Sequence, residues 1–162
     1  MASEATVAMQ AIPGYRDCLK AARIQLAGLS PPERVLGLQR IWLILHYCIT
    51  GDAGPTGSAG GALLSGEEVG EDTGYGRPRL IDSQATRAFA NFLERLGLDD
   101  VIRNVDYRKM VESDVCSAPF GEETKLELES ELKEDVAIVF PLLHGYVVGM
   151  AEKKNGLLTW LS

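Results

Sequence analysis

His46 and His144, with Cys18, Cys48 and Cys116, are the side chains suited to nucleophile-and-base chemistry near neutral pH. A thiol becomes a useful nucleophile as the thiolate, and imidazole is a common base for it. His46 and Cys48 are two residues apart, a spacing that turns them to different sides of a helix, so they form no local pair. Cys116 and His144 can meet only through folding. The favoured reading of both histidines is a core or boundary residue hydrogen-bonded to backbone. Its competitor is a small enzyme or metal-dependent binder built on Cys116, His144 and nearby carboxylates. Three widely spaced cysteines with no C-x-x-C pair argue against a disulfide framework and a cysteine zinc site, and fit reduced thiols in an intracellular protein, cytoplasmic or nuclear.

Carboxylates cluster at Glu67, Glu68, Glu71 and Asp72, at Asp99, Asp100 and Asp106, and from Glu122 to Asp135. None of these runs has the alternating oxygen ligands, central glycine and terminal Glu of an EF-hand, so they read as solvated surface, and no metal or other cofactor is expected. The stretch Gly54 to Gly61 suggests a phosphate cradle, but it lacks a Gly-Lys-Ser/Thr ending, and no lysine occurs between 21 and 108. Gly76-Arg77-Pro78-Arg79 resembles the Arg-Gly-Arg-Pro core of minor-groove DNA hooks without its first arginine. The acids at 67–72 favour a basic turn instead. Arg87, Arg95, Arg103 and Arg108 fall on consecutive helical stretches and form the candidate nucleic-acid face, although interleaved Asp and Glu favour a salt-bridged surface. A formal charge of −7 works against general binding to phosphate backbones or anionic lipid.

The elements that must position these groups are mostly helical. With 162 residues, 46% hydrophobic and 24% charged, the chain has the size and balance of one globular domain. Tyr15 to Leu26 repeats with helical period and stops at Gly28. Ser30-Pro31-Pro32-Glu33 carries a capping box, predicting a helix through Ile49 that is apolar on nearly every side after Arg40. Ser30 precedes proline and is a candidate phosphosite, with capping the preferred role. From 51 to 78 nine glycines and five carboxylates against one arginine give a net charge of −4, predicting a flexible, Gly-rich acidic loop.

Asp82-Ser83 restarts order as a cap for Ala85 to Leu96, and Leu98 to Val111 repeats the pattern, predicting a helix pair. The last forty residues support two readings. A helix over 122–140 is favoured; beyond it, a helix bent at Pro141 competes with a hairpin turning at Lys154-Asn155-Gly156. The longest uncharged apolar run, Val136 to Ala151, has 16 residues and is broken by Pro141 and His144, short of the roughly 18 to 20 that span a membrane.

The sequence therefore predicts a mainly α fold: a single helical domain over 1–162 with about five or six helices. Its parts are an N-terminal helix pair at 15–50, the loop at 51–78 and a C-terminal helical part at 82–162. The alternative is α+β with a short C-terminal β-hairpin. With no matched set of nucleophile, base and anion-stabilising groups, the leading function is a non-enzymatic protein-protein interaction or assembly protein, such as a viral structural protein or an adaptor. Its partner is another protein or a second copy. The apolar tail Leu157, Leu158, Trp160 and Leu161 is the candidate protein contact, either on its own domain or on that partner. A nucleic-acid-associated subunit using the arginines at 87–108 is the further alternative.

Overall fold

The computed structural model describes residues 7–12, 35–38, 41–72, 74, 76–118 and 124–161. Cys18, the capping box at Ser30 and the helical pattern at 15–26 lie outside the described residues. The chain is a single, mainly helical domain that also carries a sheet. Strand β1 spans Val7–Ile12 and β2 spans Val35–Gly37. Helix α1 spans Trp42–Thr50, a 3-10 helix spans Ala59–Leu64, β3 is Glu67–Glu68 and β4 is Arg79–Ile81. Then follow α2 (Ser83–Arg95), α3 (Leu98–Arg103), α4 (Tyr107–Glu112), α5 (Lys125–Glu152) and β5 (Gly156–Leu161).

The five strands lie in the order β2-β1-β5-β4-β3, every neighbouring pair antiparallel. The last strand in sequence is therefore the middle one in space. Ile12 pairs with Gly156 and Val7 with Leu161 on one side of β5, and Leu80 pairs with Leu158 on the other. Strand alternation sends Leu157 into the main core and Leu158 into a second cluster with Leu80, Val69 and Trp160. The C-terminal segment is thus neither a hairpin nor a continuation of the helix. Lys154-Asn155-Gly156 ends α5: the Asn155 N–H donates to the Met150 carbonyl and the Lys154 N–H to the Ala151 carbonyl, with Lys154 left-handed at φ 58°. This is a Schellman cap carrying lysine where glycine is usual.

Helix α5 starts at a capping box, the Glu127 N–H donating to Thr124 Oγ1 and the Thr124 N–H to Glu127. It continues through Pro141, which is exposed, so the carbonyl of Ala137 that loses its donor is not sealed in the core. Val136, Phe140, Leu143, Val147 and Met150 bury one side of it against Phe89, Ala90 and Leu93 of α2 and Leu45, Cys48 and Ile49 of α1. An 18-residue window of α5 reaches a mean hydropathy of 1.3, enough by length and composition to cross a membrane. Those contacts make it the central helix of the domain.

Three sequence expectations change here. Residues 35–37 are a strand and α1 begins only at Trp42; the antiparallel partner β1 wins over the helical reading of Val35 and Leu36. Within 51–78, the 3-10 helix buries Gly60, Gly61, Ala62 and Leu63, the last two in the main core. Glycine serves close approach here: a Cβ on Gly60 would stand 2.8 Å from the Phe92 ring. The acids of this segment stay exposed at its rim, so it caps the core instead of standing away from it. The helix pair read at 82–112 is three helices, α3 and α4 being separate, and Asp82 accepts from the Ala85 N–H at 2.7 Å to start the first.

Removing residues 157–162 takes out the central strand and both buried leucines, so the truncated chain is expected to lose its cooperative thermal unfolding transition; a melting temperature within a few degrees of the full chain would contradict this sheet order. Lys154→Gly relieves the left-handed lysine and should raise unfolding free energy by about 1 kcal/mol, read from urea denaturation.

Candidate interaction surface

Among the described residues, no hydrogen bond joins His46 or His144 to Cys48 or Cys116. His46 is fully buried in α1, and its Nε2 lies 2.8 Å from the Gly54 carbonyl. A carbonyl only accepts, so Nε2 donates this bond, and Nδ1 has no hydrogen-bond partner among the described residues. The ring thereby ties the start of the glycine segment to α1. His144 lies against the Phe140 ring one turn earlier, with centroids 6.2 Å apart. Among the described residues, no hydrogen bond links His144 to Cys116, and no group of three or more His, Cys, Asp or Glu side chains could hold a metal ion. Cys48 is buried, and Cys116 is half-buried against the same core.

The acids serve helix ends. Asp106 accepts from the Lys109 N–H, which holds its carboxyl below the usual range, and the Thr124 N–H does the same for Glu127. Glu129 accepts from Lys133 at 2.7 Å and from the Tyr107 N–H at 3.2 Å, pinning the start of α4 to α5; these bonds, Lys133 first, lower its pKa.

The four arginines divide their roles. Arg87 donates to the Ala151 carbonyl at the end of α5 at 2.9 Å, a second donor to an acceptor that also takes the Lys154 N–H, and so ties α2 to that end of the helix. Arg103 pairs with Asp100, and Arg108 with Glu112 at 3.0 Å. Arg95, in the last turn of α2, is exposed. The hook-like stretch is part of the sheet: Arg79 sits in β4 and pairs with Glu68 at 3.0 Å, and the Pro78 carbonyl accepts from the Val69 N–H.

The apolar tail turns inward. Leu157 and Leu158 are fully buried in their own domain, so these two cannot offer a free contact; Trp160 is half-buried, and Leu161 occupies the β5 end opposite Val7. The open apolar surface lies on α5. Among the described residues, the exposed large hydrophobics are Leu126 at 81%, Ile138 at 65% and Leu142 at 55%. Ile138 and Leu142 are one helical turn apart, so they share a face, and Gly145 and Gly149 continue it at i+7 and i+11. A Cβ built on either glycine meets nothing within 4 Å, so no part of the described chain approaches there. Leu126 lies on another side of the helix. Ile138 and Leu142 belong to the same apolar run, Val136 to Ala151, as the buried Val136, Leu143 and Val147, and composition alone does not mark them as exposed.

A family model described as "Domain of unknown function (DUF1877)" matches residues 20–159. Among curated proteins none matches. A solved structure entitled "The Crystal Structure of a Protein of Unknown Function YfbM from Escherichia coli" is similar over 97% of this chain and 99% of that one, with a TM-score of 0.70 and 21% identity, a likeness of fold.

Burial, reinforced by Cys116, pushes the Cys48 thiol up to about 12 from an ordinary 9.0, so it is a protonated core thiol at neutral pH. The unfolded chain releases this proton above about pH 9 while the native state holds it. Stability from this group is intact below that point and falls as pH rises toward 12, by at most about 1.4 kcal/mol per pH unit. Cys48→Ala should flatten the alkaline decline of urea midpoints; parallel curves for the two proteins would refute it.

Proposed function

The chain belongs to the DUF1877 family, and we propose that it is a non-enzymatic intracellular interaction protein whose contact surface is the outer face of α5. The observation that carries the reading is the pair Ile138 and Leu142, each more than half exposed on one turn of an otherwise core-forming helix. Single exposed apolar residues are ordinary. Two adjacent ones, flanked on the same face by Pro141, Gly145 and Gly149, make a contiguous apolar strip that water solvates poorly and a partner helix can cover. The glycines lower the strip's profile, letting another backbone come close. The buried histidine, the protonated buried thiol and the paired arginines Arg103 and Arg108 supply no competing chemistry of comparable reach.

Maleimide labelling of a Leu142→Cys chain, read by mass on the peptide carrying residue 142, tests this. The purified protein at nanomolar concentration should label as a free surface thiol does. In the concentrated lysate of the cells that produce it, labelling should slow by roughly tenfold as the face becomes occupied. Equal rates in both would refute the proposal.

A further inference from the structure

We infer that the occupant of the α5 face is a second copy of the same chain, its α5 antiparallel to the first, about a two-fold axis passing beside Leu142. The inference rests on the interaction reading above and adds the identity of the partner and its orientation.

The face extends beyond its apolar centre. Glu131, Asp135, Ile138, Leu142, Gly145, Gly149 and Lys153 follow one another at steps of three or four, which keeps all seven within one stripe of the helix. All are exposed except Gly149, which is half-buried. The stripe is acidic at its start, apolar in the middle and basic at its end. Among the described residues, Glu131, Asp135 and Lys153 make no ion pair within their own chain.

This order is self-complementary in one direction only. Glu131 and Lys153 are each 11 residues from Leu142, about 16 Å along the axis on either side. Turning a second helix end over end about Leu142 places Lys153 of each copy opposite Glu131 of the other, two such pairs per dimer. The same operation sets Ile138, four residues before the axis, against the hollow at Gly145, three residues after it. Large side chains then meet glycines on both sides of the axis. Leu142 meets its own mate at the centre, as an isologous contact requires. A parallel pair would instead place Glu131 against Glu131, Asp135 against Asp135 and Lys153 against Lys153. Macrodipoles also favour the antiparallel arrangement.

Sedimentation equilibrium of the full chain, at low salt where surface charges act at longest range, provides the test. The native chain should sediment as a dimer. Glu131→Lys and Lys153→Glu should each weaken dimerisation roughly tenfold, since each converts two attractive pairs into repulsive ones. Combining both in one chain should restore the native affinity, which a merely structural role for either residue would not do. Gly145→Leu should break the dimer without lowering the monomer's melting temperature, because its side chain starts into open space within the monomer and leucine is the better helix former.

A dimer that the combined charge swap fails to rescue overturns the antiparallel register. A chain that stays monomeric although residue 142 is protected in lysate overturns self-pairing and leaves the interaction reading to another partner. A monomer with residue 142 unprotected overturns both.

Discussion

Strand β5 can reach the centre of the sheet only because α5 stops abruptly. The helix runs 28 residues and turns at a left-handed Lys154, and two residues later the chain lies between β1 and β4, bonded to both. That one reversal binds the C-terminal strand to the beginning of the chain and to its middle. Leu157 then closes the helical core from the sheet side, and Leu158 closes the second cluster beneath Leu80 and Trp160. A Cβ on Gly156 would come within 2.6 Å of the Ile81 carbonyl, so glycine lets β5 begin this close to β4.

The same constraint determines which side of α5 is available. Helices α1 and α2 cover the side bearing Val136, Phe140, Leu143 and Val147, and the sheet occupies the space beyond its end. Residues 59–64 pack against α1 and α2, their small residues Gly60, Gly61 and Ala62 allowing close approach and Leu63 filling core space. A helix that is apolar around most of its circumference is left with one uncovered strip, and charges of opposite sign at its two ends give that strip a direction. The exposed strip is thus a by-product of how the chain packs.

Polar groups inside the domain are used for fastening. His46 holds the turn after α1 through the Gly54 carbonyl, Asn104 donates to the Cys48 carbonyl at 2.8 Å, and Arg87 closes the end of α5 from α2. The bonds to the Gly54 and Cys48 carbonyls each give a backbone acceptor a side-chain partner, and Arg87 adds a second donor to the Ala151 carbonyl beside the Lys154 N–H. Of the side chains that looked reactive by type, His46 is occupied in this way. Burial also keeps Cys48 protonated, removing it as a nucleophile.

The sequence alone determined the single domain, its helical majority, the Asp82 cap, the helical run from 83 to 95 and the helix that begins near 124. These depend on periodicity and on side chains bonding backbone within a few residues. Only the tertiary structure decided the sheet, because β1, β4 and β5 are short and their partners lie up to 150 residues away. It turned Lys154-Asn155-Gly156 from a hairpin signal into a helix cap, and the glycine-rich stretch from a free loop into a layer under Phe92. It also moved the candidate contact from the tail to α5. Leu157 and Leu142 are the same residue type in equally apolar surroundings, and nothing in the local sequence says which is covered. That depends on which neighbours the fold brings within van der Waals reach, a property of the packed chain.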